Sequence, residues 1–407
     1  MRRTIAASYR DHDETEPTLF PRSARRAVPL SILALTTIAL LAGCQPTPAG
    51  SDDRLPVSAS SDPVTAPVAA APVSLVGTDC AGLLSLAAVQ STLSTDVVLV
   101  DPLGSNISTP SGPLVDTAIA QDGGIKCVWR NGDPDVVSEY RGVTLWLLPN
   151  ADAAWAARAD DLNAADDQVD ILGGAPIEYG DESITDCGGT EDPWYYGTCF
   201  YNLRVGSYWL SIEIDGMLQD SAEHSGRPVL EAATAAVEAL PAPAAAWTPP
   251  AGSASLASSC EGAVPLATAR SAISISTLIA EPTYKSGYEA ETAALYDVDA
   301  LYCVWDTPAD WVDPAGETFG VQITLVAIPG AEWAWSGTAA PPHDTEYALA
   351  PVTGIGVAAW GGCRSDFDAC ELQVLSRGTW FSIDSGYTRG SLTPLITIGT
   401  ALIDSSH

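Results

Sequence analysis

The chain repeats itself, and that restricts its fold more than any other property of its 407 residues. Cys80-x-Gly82-x-x-x-Leu86-Ala87-x-x-x-Ser91 returns as Cys260-x-Gly262-x-x-x-Leu266-Ala267-x-x-x-Ser271. Cys127-Val128-Trp129 returns as Cys303-Val304-Trp305. Thr144-Leu145, Pro149, Ala151 and Trp155 return as Thr324-Leu325, Pro329, Ala331 and Trp335. Cys199, followed ten residues on by Trp209-x-Ser211-Ile212, returns as Cys370 followed by Trp380-x-Ser382-Ile383. Matched blocks in one order and at nearly equal spacing mark a tandem duplication. The first copy runs from 73 to 240 and the second from 253 to 407, joined by the Pro/Ala-rich linker 241–252. Whatever fold one copy adopts the other adopts too, so a signal in either counts for both.

Each copy carries the same elements. After the first cysteine, Leu83, Leu86, Ala87, Gln90 and Leu93 fall at helical spacing and predict one helix. Strands follow over Ile125 to Arg130 and Gly142 to Leu148, the latter with alternating Val143, Leu145 and Leu147. A short helix is expected from Asp152, with Glu332 at the matching place, where an acid suits a helix amino end. Cys199 to Val205 and Tyr208 to Ile214 read as a hairpin turning at Gly206-Ser207. A closing helix begins at Pro228, with Val229, Ala233, Ala236, Val237 and Leu240 on one face. Thr393 and Pro394 open its counterpart. There Ile396-Thr397-Ile398 alone favours a strand, and the repeat register decides for a helix. Hairpin-joined strands with helices at the start, middle and end predict an α+β fold: two tandem antiparallel sheets with helices mainly on one face.

Nine cysteines are present, and eight of them divide four to a copy. A duplicated domain inherits closed pairings, so the expected disulfides are Cys80 with Cys127, Cys187 with Cys199, Cys260 with Cys303, and Cys363 with Cys370. The ninth, Cys44, ends Leu41-Ala42-Gly43-Cys44, behind an apolar run from Ala27 to Leu41 and the basic Arg22, Arg25 and Arg26. A basic head, a short apolar core and small residues form an export signal, here 1–43 with an N-terminal extension. The run is shorter than the ~20 apolar residues of a spanning helix. Leu-Ala-Gly-Cys resembles the lipobox of bacterial lipoproteins, which implies diacylglycerol on Cys44, anchoring to the cell membrane and an extracytoplasmic body. Disulfides persist in that compartment. Residues 44–72 are mostly Pro, Ala, Ser, Thr and Asp and read as a disordered tether.

The order Cys80-Ala81-Gly82-Leu83-Leu84, then Cys127-Val128-Trp129, a strand, a short helix, a Gly-rich stretch and a closing helix resembles a Cys-containing domain of unknown function in actinobacterial cell-surface lipoproteins. The resemblance implies lipoprotein status and an architecture similar to the extrinsic photosystem-protein (PsbP-like) fold. The second copy departs from the pattern, with Ala263-Val264 in place of the leucine pair.

Charge and motif content narrow the function classes. Beyond residue 44 the chain carries 12 basic and 47 acidic groups, so it lacks the basic stripe that nucleic acid requires. No G-x-S-x-G elbow, H-E-x-x-H helix or Walker loop is present, and no cofactor is implied. His224 and His343 sit in unmatched polar stretches and read as surface residues. No metal site is expected: Asn131-Gly132-Asp133-Pro134-Asp135, Asp160-Asp161 and Asp166-Asp167 lack the spacing of a calcium loop. Trp129, Trp305, Trp155, Trp335, Trp209 and Trp380 are repeated within elements and read as core.

The expected function is a non-enzymatic binding or accessory module of the cell envelope, holding an envelope protein or a small apolar or glycan ligand. An exported hydrolase with dispersed catalytic residues and a structural assembly factor are the alternatives. The copies differ most between the third and fourth cysteines, with eleven intervening residues in the first and six in the second. The longer loop carries Trp194, Tyr195 and Tyr196, which read either as the start of a strand or as an interaction patch.

Overall fold

A computed structural model describes residues 71–100, 112–131, 141–157, 178–188, 197–217, 226–243, 248–250, 253–280, 290–308, 311, 320–335, 347–364 and 368–406. The first copy contributes α1 (Cys80–Leu83), α2 (Leu86–Thr92), β1 (Val98–Val100), α3 (Gly112–Gln121), β2 (Ile125–Asn131), β3 (Arg141–Leu148), β4 (Glu182–Gly188), β5 (Gly197–Val205), β6 (Tyr208–Met217) and α4 (Arg227–Glu238). The second contributes α5 (Cys260–Ala263), α6 (Leu266–Ile273), β7 (Ile279–Ala280), α7 (Ala290–Asp297), β8 (Leu301–Asp306), β9 (Gln322–Ile328), a 3-10 turn (Ala331–Ala334), β10 (Ala350–Pro351), β11 (Ala358–Cys363), β12 (Cys370–Ser376), β13 (Thr379–Ser385) and α8 (Thr393–Ser405).

Each copy builds its own antiparallel sheet. The orders are β1-β2-β3-β6-β5-β4 and β7-β8-β9-β13-β12-β11-β10, the same arrangement with one extra edge strand in the second. The expected α+β class and duplicated sheet are therefore present. Both sheets belong to one compact unit spanning Thr65–His407. On the outer face of the first sheet, α4 packs on α1, α2, β5 and β6. On the second, α8 packs on α5, α6, β12 and β13. Val76, Leu83, Leu84, Val89, Trp129, Leu145, Leu210 and Val229 fill the first outer core, and Val264, Trp305, Leu325, Leu372, Phe381 and Leu395 fill the second.

One expectation needs correction, and several elements went unpredicted. The helix after the first cysteine is two, α1 and α2, because Ser85 accepts from the Ala88 amide and starts a new helix. The restart resets the phase, leaving Leu86 39% exposed while Leu84 and Val89 are buried. Thr393 and Pro394 open α8 as expected, behind Leu392, which caps it without a side-chain bond. Helices α3 and α7, together with strands β1, β4, β7, β10 and β11, went unpredicted. Most residues of α3 are buried on every side, so it has no polar stripe to reveal its period.

The Cys-x-Gly motif has a local cause. Asp79 accepts from the Gly82 amide at 2.9 Å, and Ser259 from the Gly262 amide at 3.1 Å. A Cβ at Gly82 would collide with the Thr78 hydroxyl, and one at Gly262 would lie 3.1 Å from the Ser259 hydroxyl oxygen. Glycine therefore recurs where the capping turn folds over the helix start. Disulfides Cys80–Cys127, Cys260–Cys303 and Cys363–Cys370 are formed, with Cα separations of 5.5, 5.6 and 4.0 Å. Cys199 is disulfide-bonded and stands opposite Cys187 in the β4–β5 register.

Candidate functional site

The inner faces of the two sheets meet, and the meeting is tight. Helix α3 lies between its own β2 and β9 of the other copy, while α7 lies between its own β8 and strands β3 and β6 of the first. The two helices pack on each other through small residues: Ala118 from one, and Ala290, Ala293 and Ala294 from the other, are all buried. Trp155, Trp209, Trp335 and Trp380 belong to this junction rather than to the core of either copy. Trp155 stands edge-on to Trp209 at 5.2 Å, and Trp335 repeats the arrangement on Trp380 at 5.7 Å. The duplicated tryptophans thus pack the contact between the copies. By contrast Trp129 and Trp305 sit in the outer cores, as expected.

Two tryptophan donors of the junction are paired in the same duplicated way. Trp209 Nε1 donates to Asn202 Oδ1 at 2.9 Å, and Trp380 Nε1 donates to Gln373 Oε1. Gln121 Nε2 reaches across to the backbone carbonyl of Pro329 at 3.2 Å.

Its ionisable groups break the duplication. Lys126 stands where the second copy has Tyr302, directly before the matched cysteine. Its ammonium lies 2.6 Å from Asp116 Oδ1 on α3 and 3.9 Å from Glu291 Oε1 on α7. Both Lys126 and Asp116 are buried, and the Lys126 head sits 5.8 Å from the ring centroid of its cross-strand neighbour Trp146. Burial pushes the Asp116 carboxyl up to about 6 against the pull of Lys126. It raises Glu291 as well, with Lys126 and the Trp146 indole pulling the other way. At the end of α3, burial and then the Asp297 carboxylate push Asp122 up to about 8.

Beside the junction a cavity of about 740 Å³ opens between the stretch leading into α5 and the α7–β8 turn. Pro249, Pro250, Tyr296, Tyr302 and Pro329 frame it, with Ser253, Ser255, Ser258 and Ser259 along one wall. Among the described residues the buried Tyr296 hydroxyl has no hydrogen-bond partner. Asp299 closes α7 in a left-handed conformation at φ 54°, where the first copy uses Gly123 at φ 82°. The described lining thus offers rings, prolines, hydroxyls and one carboxylate, a surface suited to an uncharged ligand with hydrogen-bonding edges.

Several expected sites lie outside the described residues. These are Cys44, the aromatic run Trp194, Tyr195 and Tyr196, the histidines His224 and His343, and nearly all of the acidic clusters. Among the described residues no cluster of His, Cys, Asp or Glu is arranged to hold a metal, and no helix is long and apolar enough to cross a membrane. Sequence reasoning missed Lys126, Asp116, Glu291 and Asp122. The one available signal was Lys126 itself, a cation in a strand where the duplicate carries tyrosine. No family model matches this chain, and searches of curated proteins and of solved structures found no match.

Proposed function

We propose that the chain is a membrane-anchored extracytoplasmic lipoprotein acting as a non-enzymatic binding module of the cell envelope, with its ligand in the cavity framed by Tyr296 and Tyr302. The observation that carries this reading is an open, proline- and serine-lined cavity with Tyr296 in its lining, whose buried hydroxyl has no hydrogen-bond partner among the described residues. A buried hydroxyl without a partner carries a desolvation cost that a ligand acceptor removes. The strongly acidic body favours neutral ligands over anionic ones, so a glycan or small apolar molecule fits better than a phosphorylated one. The lipobox at Cys44 and the tether behind it support anchoring.

The test is binding of neutral envelope glycans and small apolar compounds to purified protein by calorimetry. Tyr296→Phe is expected to weaken binding about tenfold, roughly 1.4 kcal/mol, by removing the hydroxyl alone. An unchanged affinity moves the ligand elsewhere, and steady conversion of a bound compound replaces the binding reading with the hydrolase. Separately, Cys44→Ala is expected to leave the precursor unprocessed or release the protein from the membrane fraction.

A further inference from the structure

Lys126 and Asp116 are oddly placed for an ordinary ion pair. Both are buried, and an ammonium has three protons to donate. Among the described residues only Asp116 Oδ1, at 2.6 Å, lies within hydrogen-bond reach of the Lys126 nitrogen. Among the described residues the other, buried oxygen of Asp116 has no hydrogen bond, and neither has Glu291 Oε1, 3.9 Å from that same nitrogen. Buried charges persist when geometry and extra hydrogen bonds offset their desolvation, and these extra bonds are missing. Instead an amine, a carboxyl group and a second carboxyl group converge in a site walled by Trp146, where little water competes.

The geometry points to an intramolecular amide between Lys126 Nζ and the side-chain carbonyl carbon of Asp116, formed with loss of one water and assisted by Glu291 of the other repeat. A proton first passes from the Lys126 ammonium to the Asp116 carboxylate, leaving a neutral amine and a neutral acid. Burial raises the Asp116 carboxyl above its ordinary range, which eases its taking of that proton. The nitrogen lone pair then attacks Cγ of Asp116. Glu291 in its acid form, the form that burial favours, gives its proton to the carbonyl oxygen and takes one back from the nitrogen. The tetrahedral centre breaks one C–O bond. Glu291 protonates the departing hydroxyl, and the remaining hydroxyl returns its proton to Glu291 as the carbonyl re-forms. One ammonium and one carboxylate become one amide and one water, and Glu291 ends as it began.

The placement also gives the bond a structural role. Neighbouring residues on a strand point to opposite faces. Cys127 ties β2 to α1 on the outer face, and Lys126 on the inner face would tie the same strand to α3. The amide resists the reductants that open the disulfide. The site is composite: the second copy has Tyr302 and Thr292 at the places of Lys126 and Asp116 but supplies Glu291.

Peptide mapping of the full mature protein, reduced and alkylated, tests the inference. No lysine or arginine lies between Arg54 and Lys126, so trypsin acting on an unlinked chain ends a peptide at Lys126. The linked chain is expected to resist cleavage there. It should yield a segment from Leu55 to Arg130 lighter by one water, with few fragment ions between 116 and 126. Dehydration at Asp122-Gly123 loses the same mass but leaves Lys126 cleavable, so the two are told apart. Glu291→Gln is expected to fold with its disulfides intact and to be cleaved at Lys126. Wild-type protein aged at neutral pH and still cleaved at Lys126 at full mass overturns the bond. A variant at 291 that links as completely as wild type overturns the part given to Glu291.

Discussion

Asp122 shows how a single residue at the junction sets a pH dependence. Its carboxyl is 6% exposed, one oxygen lacks a partner, and the group facing it from α7 is another acid, Asp297. Burial first and that neighbour second raise its pKa from the ordinary 3.8 to about 8. The folded state therefore holds a proton that the unfolded state has already released. Its contribution to stability is full below pH 3.8, declines as pH rises, and is lost by about pH 8. The loss amounts to at most about 1.4 kcal/mol per pH unit across that window. Asp122→Asn is expected to flatten this part of the stability profile, measured by denaturant unfolding at a series of pH values. A variant whose profile parallels wild type removes Asp122 as the cause. None of this was legible beforehand, because an acid followed by two glycines reads as a solvated turn.

Between elements, α3 and α7 depend on having almost no side chain where they cross. Ala294 is fully buried in the junction, in the same cluster as Ala118 of the other helix. Ala294→Leu is expected to cost about 1–3 kcal/mol by overpacking, read as a shift in the denaturation midpoint. Leu at the exposed Ala235 of α4 serves as the control, with an effect near zero. On the other side of β2, Cys80→Ser with Cys127→Ser is expected to cost about 2–5 kcal/mol, the usual range for a native disulfide in a small secreted domain. Equal stability of that double variant would leave α1 held by packing alone. Legibility follows the same division between faces. Helix α4 shows one buried and one wet face, so its period was visible, while β3 is buried on both faces and was legible from the alternating Val143, Leu145 and Leu147. Helix α3 is buried all round, and β4, with the sequence ESITDCG, is a polar edge strand with no apolar alternation. Neither offered a period to find.

At the scale of the whole molecule, the junction joins what the linker suggests are separate bodies. Trp209 and Trp380 are both fully buried in it, one from each sheet. Removing either exposes apolar surface in both repeats at once. Trp209→Ala is expected to lower stability by about 3–5 kcal/mol, and to lower the whole unfolding transition rather than half of it. Calorimetry of the wild type should show one transition for both repeats. Two well-separated transitions, with only the first moved by Trp209→Ala, would mean that the sheets unfold independently and that the junction is weak.

The sequence by itself determined the duplication, the central strands of each sheet, the closing helices and which cysteines pair within a copy. It even made a helix of Ile396-Thr397-Ile398, since a repeat's register carries more information than local propensity. Only the tertiary structure decided that the tryptophans repeated at 155, 209, 335 and 380 face the other copy. It alone brought Asp116, Lys126 and Glu291 together from two repeats. The reason is physical: hydrophobic pattern encodes that a face is buried and at what period, and both an inner core and a domain junction meet that demand equally. What covers the face depends on the shapes of two surfaces made from distant stretches of chain, and no local spacing records that match.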